Sequence, residues 1–418
     1  MGSAVKASLE LLSVQLQRAD EEQPVRQSVC CQGHQEGLSI AMNLPLNTPI
    51  WETGNWKKLP PVAGPLGADV CVVGLGGSGL TAIHELLGRG ARVIGVDAGM
   101  VAGGAAGRNG GLALAGLAPF YHHAVLDIGQ ERALGFYRAT IEEQARMREA
   151  TPDCVRVTGS LRIAVDAEEG EDCLRLFESM QSDGLPVELY DGAEGRGLLF
   201  PGDMSFNPLA RCRSLALQAL ERGAQLFEDS AATEIAGDAV IANGQTISCG
   251  AVIVAVDGRL DLVLPELAGR VRTARLQMLG TEPATDATLE RPMYLRNGRE
   301  YVQQLENGAF ALGGFHDMFE EEEWTHESSP TDEIQGLLES FLRDCIGTTA
   351  RITHRWAASV GYVGGTLPVM EEVRPGVWGI GGYSGTGNLV GALSGRAAAV
   401  AALGGKSELL QLFQQPQG

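Results

Sequence analysis

Three glycines early in the chain have the spacing of a loop that can hold a phosphate group. Gly74, Gly76 and Gly79 read G-x-G-x-x-G, and Asp97 follows 18 residues after the third glycine. Such glycines allow a tight turn, close approach of backbone to a pyrophosphate and close packing of the next helix, while the later acid can accept a ribose hydrogen bond. The spacing predicts a dinucleotide site, and the Asp97 carboxylate disfavours a 2′-phosphate. We extend the predicted site to Gly77, Ser78 and Ala98.

The elements that would position this loop lie on both sides of it. Val70–Val73 is an apolar run that fits a buried parallel strand. Apolar residues then recur at helical spacing over Leu80–Leu87, and a second apolar run ends at Asp97. Strand, glycine loop, helix, strand and terminal acid therefore agree with one another, and together they predict a βαβ unit that binds a dinucleotide.

A second glycine-rich segment follows directly, and it has polar side chains in its centre. It reads GAAGRNGG and ends at Gly111. A loop almost free of side chains that holds one cation and one amide can run beside a pyrophosphate and a planar ring. The residues predicted to contact a cofactor here are Gly107, Arg108, Asn109, Gly110 and Gly111.

A third glycine-rich segment, GGYSGTGN, lies near the end of the chain, and an apolar helical pattern follows it. It could form a separate nucleotide site, or it could return to the ligand of the first two loops. The predicted contacts in this segment are Gly382, Ser384, Gly385, Thr386, Gly387 and Asn388.

Together these segments resemble a known family. GAAGRNGG and GGYSGTGN are similar to the loops of the FAD-dependent amine and amino-acid oxidoreductases, the group of D-amino-acid oxidase, glycine and sarcosine oxidases and gamma-glutamylputrescine oxidase. The resemblance runs from about residue 68 to residue 404. It implies that all three loops serve one FAD, and that Thr233, Ala255 and Gly258 also lie near it. No cysteine stands where sarcosine-oxidase-like relatives attach FAD covalently, so we expect a noncovalent cofactor.

The resemblance also implies the fold. We expect an α/β protein in which a Rossmann-like FAD-binding domain is interleaved with an α+β substrate domain built on an antiparallel sheet. The FAD-binding domain is assigned to residues 68–150, 200–260 and 352–410. The substrate domain is assigned to residues 151–199 and 261–351. Residues 1–67 are treated as an N-terminal extension, of which 1–41 are expected to be poorly ordered.

The substrate pocket is less well specified than the cofactor site. Relatives often have an arginine where this chain has Gln303, and His316 also stands where an arginine is expected. Since an arginine fork is the usual partner of a carboxylate, these changes prevent a simple transfer of α-carboxylate recognition. The pocket candidates are Tyr294, Arg296, Arg299, Tyr301, Gln303, His316, Trp356 and Tyr383. His122, His123, His354 and Arg355 are weaker candidates, and Glu320–Glu323 is interpreted as a solvated loop.

The function implied by the resemblance is oxidation of a C–N bond in a small amine or amino acid, with oxygen or another compound as the electron acceptor. Two alternatives stay open. The first is flavin-dependent oxidation of a hydroxy acid or polyol, and the second is a catalytically decayed FAD-binding protein. Hydride transfer to a flavin needs no protein nucleophile, which agrees with the lack of a visible nucleophile and base pair.

Composition limits the possible partners and location. The net charge of the 418-residue chain is −20, and no cluster of basic residues stands out, which argues against a nucleic-acid partner. No apolar run approaches the roughly 20 residues of a membrane span. The eight cysteines have no repeated short spacing, which favours a cytoplasmic location. Cys30, Cys31 and His34 are a weak candidate metal group, and we predict no metal site.

Overall fold

The computed structural model describes residues 47–414, so Cys30, Cys31 and His34 lie outside the described residues. Its strands are β1 (Leu66–Gly67), β2 (Val70–Val73), β3 (Val93–Val96), β4 (Leu112–Ala113), β5 (Val155–Val157), β6 (Ser160–Ile163), β7 (Glu188–Gly192), β8 (Gly195–Phe200), β9 (Met204–Phe206), β10 (Gln225–Phe227), β11 (Ala232–Ile235), β12 (Ala239–Ala242), β13 (Gln245–Ser248), β14 (Ala251–Val254), β15 (Val271–Pro283), β16 (Met293–Leu295), β17 (Glu300–Gln304), β18 (Ala309–Gly313), β19 (Ile352–Val363), β20 (Val369–Arg374) and β21 (Val377–Gly381). Its α-helices are α1 (Gly77–Gly88), α2 (Tyr121–Ile128), α3 (Gln130–Ala150), α4 (Ala167–Ser182), α5 (Pro208–Glu221), α6 (Leu260–Val263), α7 (Glu320–Glu323), α8 (Asp332–Ser340), α9 (Val390–Ala402) and α10 (Glu408–Phe413).

A six-stranded sheet carries the predicted dinucleotide unit. Its strand order is β10-β3-β2-β14-β21-β20, and all neighbours are parallel except the antiparallel edge pair β21 and β20. The central strands β2, β3 and β14 are buried along their whole length, which explains why they read as unbroken apolar runs. Helices α1 and α9 pack tightly against each other, since a Cβ at Gly395 would lie 2.3 Å from the Ser78 carbonyl oxygen.

An eight-stranded, mainly antiparallel sheet forms the second layer, in the order β19-β15-β18-β17-β16-β6-β8-β7. The β17–β18 hairpin turns at Asn307 and Gly308, a residue pair typical of such turns, and Gly308 has the positive φ of 86° that favours glycine. The chain passes between the two sheets several times. The expected mixed α/β fold, with one mainly parallel and one mainly antiparallel sheet interleaved along the chain, is confirmed.

Two local predictions are wrong. Residues 352–363 were assigned to the FAD-binding domain, but β19 pairs with β15 along almost its whole length and so lies in the eight-stranded sheet. The local sequence does not show which sheet this strand joins, and only its long-range pairing with β15 decides. Glu320–Glu323 is a helix, and its last residue is not solvated: Glu323 is buried and pairs with Arg275 at 2.7 Å.

None of the helices in residues 47–414 is long and apolar enough to cross a membrane.

Candidate active site

A cavity of about 1100 Å³ is lined by residues from both large sheets and from all three glycine-rich segments. Most of the residues predicted to bind the cofactor line it directly. They are Gly74, Gly76, Gly77, Ser78, Asp97, Ala98, Arg108, Asn109, Gly110, Ala255, Ser384, Gly385, Thr386, Gly387 and Asn388. The structure thus brings residues more than 300 positions apart to one site.

Five predicted glycines support the cavity without lining it. At each of them a Cβ would lie between 1.9 and 2.6 Å from a neighbouring atom, so these glycines allow segments to pack closely. They are Gly79, Gly107, Gly111, Gly258 and Gly382. Thr233 does not line the cavity: it is exposed on β11, and its hydroxyl donates to the Ile241 carbonyl, whereas Ala231 and Ala232 line the cavity.

The first glycine loop has the features of a phosphate cradle. Gly74 has a φ of 104°, and a Cβ at Gly79 would lie 1.9 Å from the Gly74 carbonyl oxygen. Helix α1 has no side-chain cap at its N-terminus, which leaves backbone N–H groups directed toward the cavity end of the helix. Unpaired N–H groups and a positive dipole end favour a phosphate there.

The Asp97 carboxylate closes this end of the cavity. Its two oxygens accept hydrogen bonds from the Leu75 and Gly99 amides, at 2.8 and 2.9 Å. Burial raises the pKa of Asp97, and the nearby Glu228 carboxylate adds to the effect. These bonds fix the carboxylate at the end of β3, where sequence spacing placed it.

The second and third glycine-rich segments contact each other through two asparagines. The Asn109 side-chain amide donates to the Asn388 side-chain oxygen at 3.1 Å, and Asn388 also donates to the Leu112 carbonyl at 2.8 Å. The Asn109 oxygen in turn accepts from the Gly111 amide at 2.9 Å. One pair of side chains therefore joins the two loops that were expected to meet at one cofactor.

This contact predicts that the two asparagines act together in holding the cofactor. Replacing either by Ala should weaken FAD binding, and the double variant should lose less than the sum of the single losses, with a coupling energy of about 0.5–3 kcal/mol. The measurement is the FAD dissociation constant of the wild type, Asn109→Ala, Asn388→Ala and the double variant. Strictly additive losses would show that the loops are held independently.

Arg108 places a positive charge beside the cavity. Its guanidinium donates to the Ala357 carbonyl at 2.8 Å and to the Asn47 carbonyl at 2.7 Å. No carboxylate pairs with it within residues 47–414. Burial lowers the pKa of Arg108 to about 10, so the group stays charged at neutral pH. An uncompensated cation at this point favours an anionic ligand.

Two residues predicted for the substrate pocket support the second glycine loop instead. Trp356 is fully buried, and its indole N–H donates to the Arg108 carbonyl at 2.7 Å. Gln303 donates from its amide to the carbonyls of Gly110 and Gly111. Both are therefore positioning residues. Gln303, which stands where an arginine was expected, uses its amide to hold the second glycine loop.

Asp257 is a functional residue that the sequence analysis missed. This partly buried carboxylate, which lines the cavity, accepts backbone hydrogen bonds from Gly382 at 2.9 Å and from Gly361 at 3.1 Å, with a longer one from Tyr383 at 3.4 Å. Burial raises its pKa, while the backbone N–H groups act in the opposite direction. It fixes the third glycine loop to β19. The only sequence signal was an acid directly after the apolar strand β14.

The other end of the cavity is aromatic. Of the predicted pocket residues, Tyr294, Tyr301, His316 and Arg299 line this part, whereas Tyr383 lines the cavity from within the third glycine-rich segment. Additional aromatic lining, not predicted, comes from Phe120, Tyr137, Phe200 and Tyr362. Burial raises the pKa of these tyrosines, which therefore stay protonated at neutral pH.

The charged candidates differ in their access to the cavity. Arg296 does not line it, because its guanidinium pairs with Glu300 at 2.7 Å and Asp317 at 2.8 Å. Arg299 lines it but is half exposed and also pairs with Asp317, at 2.6 Å. Burial lowers the pKa of His316, which lines the cavity as a neutral imidazole.

The weaker candidates lie away from the cavity. His354 contacts Thr353, and Arg355 pairs with Glu339. His122 and His123 lie near Asp172, and one ligand atom of each of the three falls within 4.8 Å of the others. The Asp172 carboxylate, however, also pairs with the buried Arg162 at 2.8 Å, so a cation in this group would compete with a guanidinium already in place.

A single family matches most of the chain. The FAD dependent oxidoreductase family, of the DAO type, matches residues 69–401. The chain belongs to this family. Its members are flavoproteins, and the expected resemblance and the FAD cofactor are both confirmed. The first glycine loop, the uncapped N-terminus of α1 and the Arg108 side chain, which has no carboxylate partner, together fit the diphosphate and ring of FAD.

Two relatives and one solved structure are similar to this chain over most of its length. The chain is 24% identical over 399 residues to the probable oxidoreductase OrdL of Haemophilus influenzae, covering 85% of this chain and 88% of the relative. It is 28% identical over 389 residues to the OrdL of Rhizobium meliloti, covering 85% and 87%. The glycine oxidase of Geobacillus kaustophilus has the same fold, with a TM-score of 0.69, 20% identity and coverage of 84% of this chain and 100% of that one.

Proposed function

We propose that this FAD-dependent oxidoreductase oxidises the C–N bond of a small amine or amino acid to an imine, which water then hydrolyses. The observation that carries the proposal is the aromatic lining of the cavity, which includes neutral tyrosines and one uncharged imidazole, His316, whose ring centroid lies 5.8 Å from that of Tyr362. Such a pocket favours an uncharged amine over an ammonium ion. The flavin, when bound, accepts the hydride from the carbon next to the nitrogen.

The residues of the chain have three tasks in this reaction. Tyr294, Tyr301 and Tyr362 form walls that exclude water from the reacting carbon. His316 can accept the proton that a substrate ammonium must lose before its nitrogen lone pair assists hydride transfer. Arg299 is one of the cations in the cavity wall, and its pairing with Asp317 leaves it a weak partner for a carboxylate.

His316 therefore gives a pH-dependent prediction. Its pKa is lowered by burial from the usual value of about 6.5, so it is a proton acceptor above that lowered pKa and loses this role as the pH falls through it. We expect an acidic limb of kcat/KM below about pH 6.5. His316→Gln should lower kcat/KM by about 100-fold or more and remove the limb.

His354→Gln is the matched control, since His354 does not line the cavity. It should keep both the rate and the acidic limb. An unchanged pH profile in His316→Gln would exclude His316 as the proton acceptor while leaving the C–N oxidation open.

Product analysis tests the reaction itself. A primary amine substrate should give a carbonyl compound and ammonia in equal amounts. A carbonyl compound formed from a hydroxy acid or polyol, with no turnover of amines, would support the alternative reaction.

The electron acceptor is proposed to be oxygen or another small oxidant. We also propose that FAD is held noncovalently: the cysteine that lines the cavity, Cys212, is buried, and burial raises its thiol pKa and disfavours the nucleophilic thiolate.

A further inference from the structure

A second cavity of about 410 Å³ lies among helices α1, α3, α5 and α9, outside the active site. We call it the helix groove and define it by six of its residues. They are Thr81, His84, Arg146, Arg211, Arg222 and Arg396. None of the residues assigned above to the cofactor or the substrate lines it.

The helix groove is positively charged in a strongly acidic protein. Four arginines and two glutamates line it, which gives a formal charge of +2, whereas the chain has a net charge of −20. One of the glutamates, Glu143, is already neutralised, since Arg396 binds both of its oxygens at 2.7 and 3.0 Å. A local excess of cations on such a background is expected to attract anions.

Arg211 is the buried cation of the groove. The residue is 6% exposed, and its Nε has no hydrogen-bond partner. No carboxylate within the described part of the chain forms an ion pair with it, in contrast to Arg396. Burying an unpaired guanidinium with an unused donor is costly, so a partner from outside the chain would relieve that cost.

Arg222 adds a second cation, and His84 holds it in place. The His84 Nε2 lies 2.8 Å from the Leu215 carbonyl, which can only accept, so this nitrogen carries the hydrogen. Its Nδ1 then accepts from the Arg222 guanidinium at 2.9 Å. The imidazole is thus a neutral acceptor that orients Arg222 without cancelling its charge.

We propose that the helix groove binds a small molecule with a phosphate or carboxylate group, and that Arg211 is its inner contact and Arg222 its outer one. Guanidinium groups bind both kinds of oxyanion through paired N–H donors. Because Arg211 also lines the FAD cavity, an anion in the groove contacts a side chain shared by the two sites.

Calorimetric titration of the FAD-loaded protein tests the site. Inorganic phosphate and succinate are titrated separately, with ionic strength held constant by sodium chloride. We expect saturable binding at one site per chain, weakened about tenfold or more by Arg211→Gln and by Arg222→Gln. Arg148→Gln removes the same charge from an exposed position of α3 outside the groove, and it should leave binding unchanged.

The outcomes separate the possible explanations. Tighter binding of phosphate assigns a phosphate ligand, and tighter binding of succinate assigns a carboxylate. The proposal is overturned if neither anion saturates, if Arg148→Gln weakens binding as much as the groove variants do, or if anions bind only when FAD is removed. The last result would mean that the cofactor itself is the partner of Arg211. If Arg211→Gln does not fold, the exposed Arg222→Gln decides.

Discussion

Gly79→Ala is expected to give a protein that is purified without FAD. A Cβ at this position would lie 1.9 Å from the Gly74 carbonyl oxygen, and this neighbour is backbone, so it cannot rotate away as a flexible side chain could. Overpacking of this kind costs about 1–3 kcal/mol, and occasionally more. The first glycine loop must then open, which removes the phosphate cradle at the start of α1. The measurement is visible flavin absorbance per unit of protein, with circular dichroism as the check on folding.

Gly88→Ala is the control for this change. It lies on the same helix, and the atom nearest to its Cβ would be the flexible Arg222 side chain at 3.7 Å, an ordinary contact. This variant should keep its full flavin content. A folded Gly79→Ala that binds FAD like the wild type would contradict the assignment of the loop as the phosphate cradle.

Asp257→Ala is expected to be the most damaging change outside the glycine loops. It would leave the amides of Gly361, Gly382 and Tyr383 without their acceptor in a buried site. Each unsatisfied buried donor costs about 1–3 kcal/mol, so we expect the free energy of unfolding to fall by about 3 kcal/mol or more. Because the third glycine loop is released, FAD affinity should fall by about 100-fold.

Asp257→Asn gives a graded comparison. It keeps one acceptor oxygen, and this oxygen can still serve Gly382 and Tyr383, while the bond from Gly361 is lost. Its stability in denaturant and its FAD affinity should therefore lie between those of the wild type and Asp257→Ala. If Asp257→Ala matches the wild type in both measurements, the carboxylate does not position the loop.

The cofactor site was more accessible to sequence reasoning than the pocket, for a physical reason. Phosphate binding depends on short backbone patterns, so Gly74, Gly76 and Asp97 could be placed from local spacing alone. Asn109 and Asn388 were also found, because polar side chains stand out within glycine-rich loops. The family resemblance implied only that their loops meet at one cofactor, and their direct contact across 279 positions was not predicted.

The errors concern side chains whose roles depend on distant partners. Trp356 and Gln303 have the chemistry of pocket residues, yet both donate to carbonyls of the second glycine loop. Arg296 forms ion pairs with Glu300 and Asp317, and no local sequence pattern predicts these ion pairs. Asp257 was overlooked because a single acid after a strand is common. In each case the deciding contact joins segments far apart in sequence.

The most direct test of the central claim is an anaerobic visible spectrum of the FAD-loaded protein. Small amino acids, N-methyl amino acids and polyamine derivatives are added in turn, with a hydroxy acid and a polyol as comparisons. C–N oxidation predicts that at least one amine class bleaches the flavin bands while the hydroxy acid and polyol leave them unchanged. A flavin spectrum unaffected by every amine, or bleached only by the hydroxy acid or polyol, would contradict the proposed function.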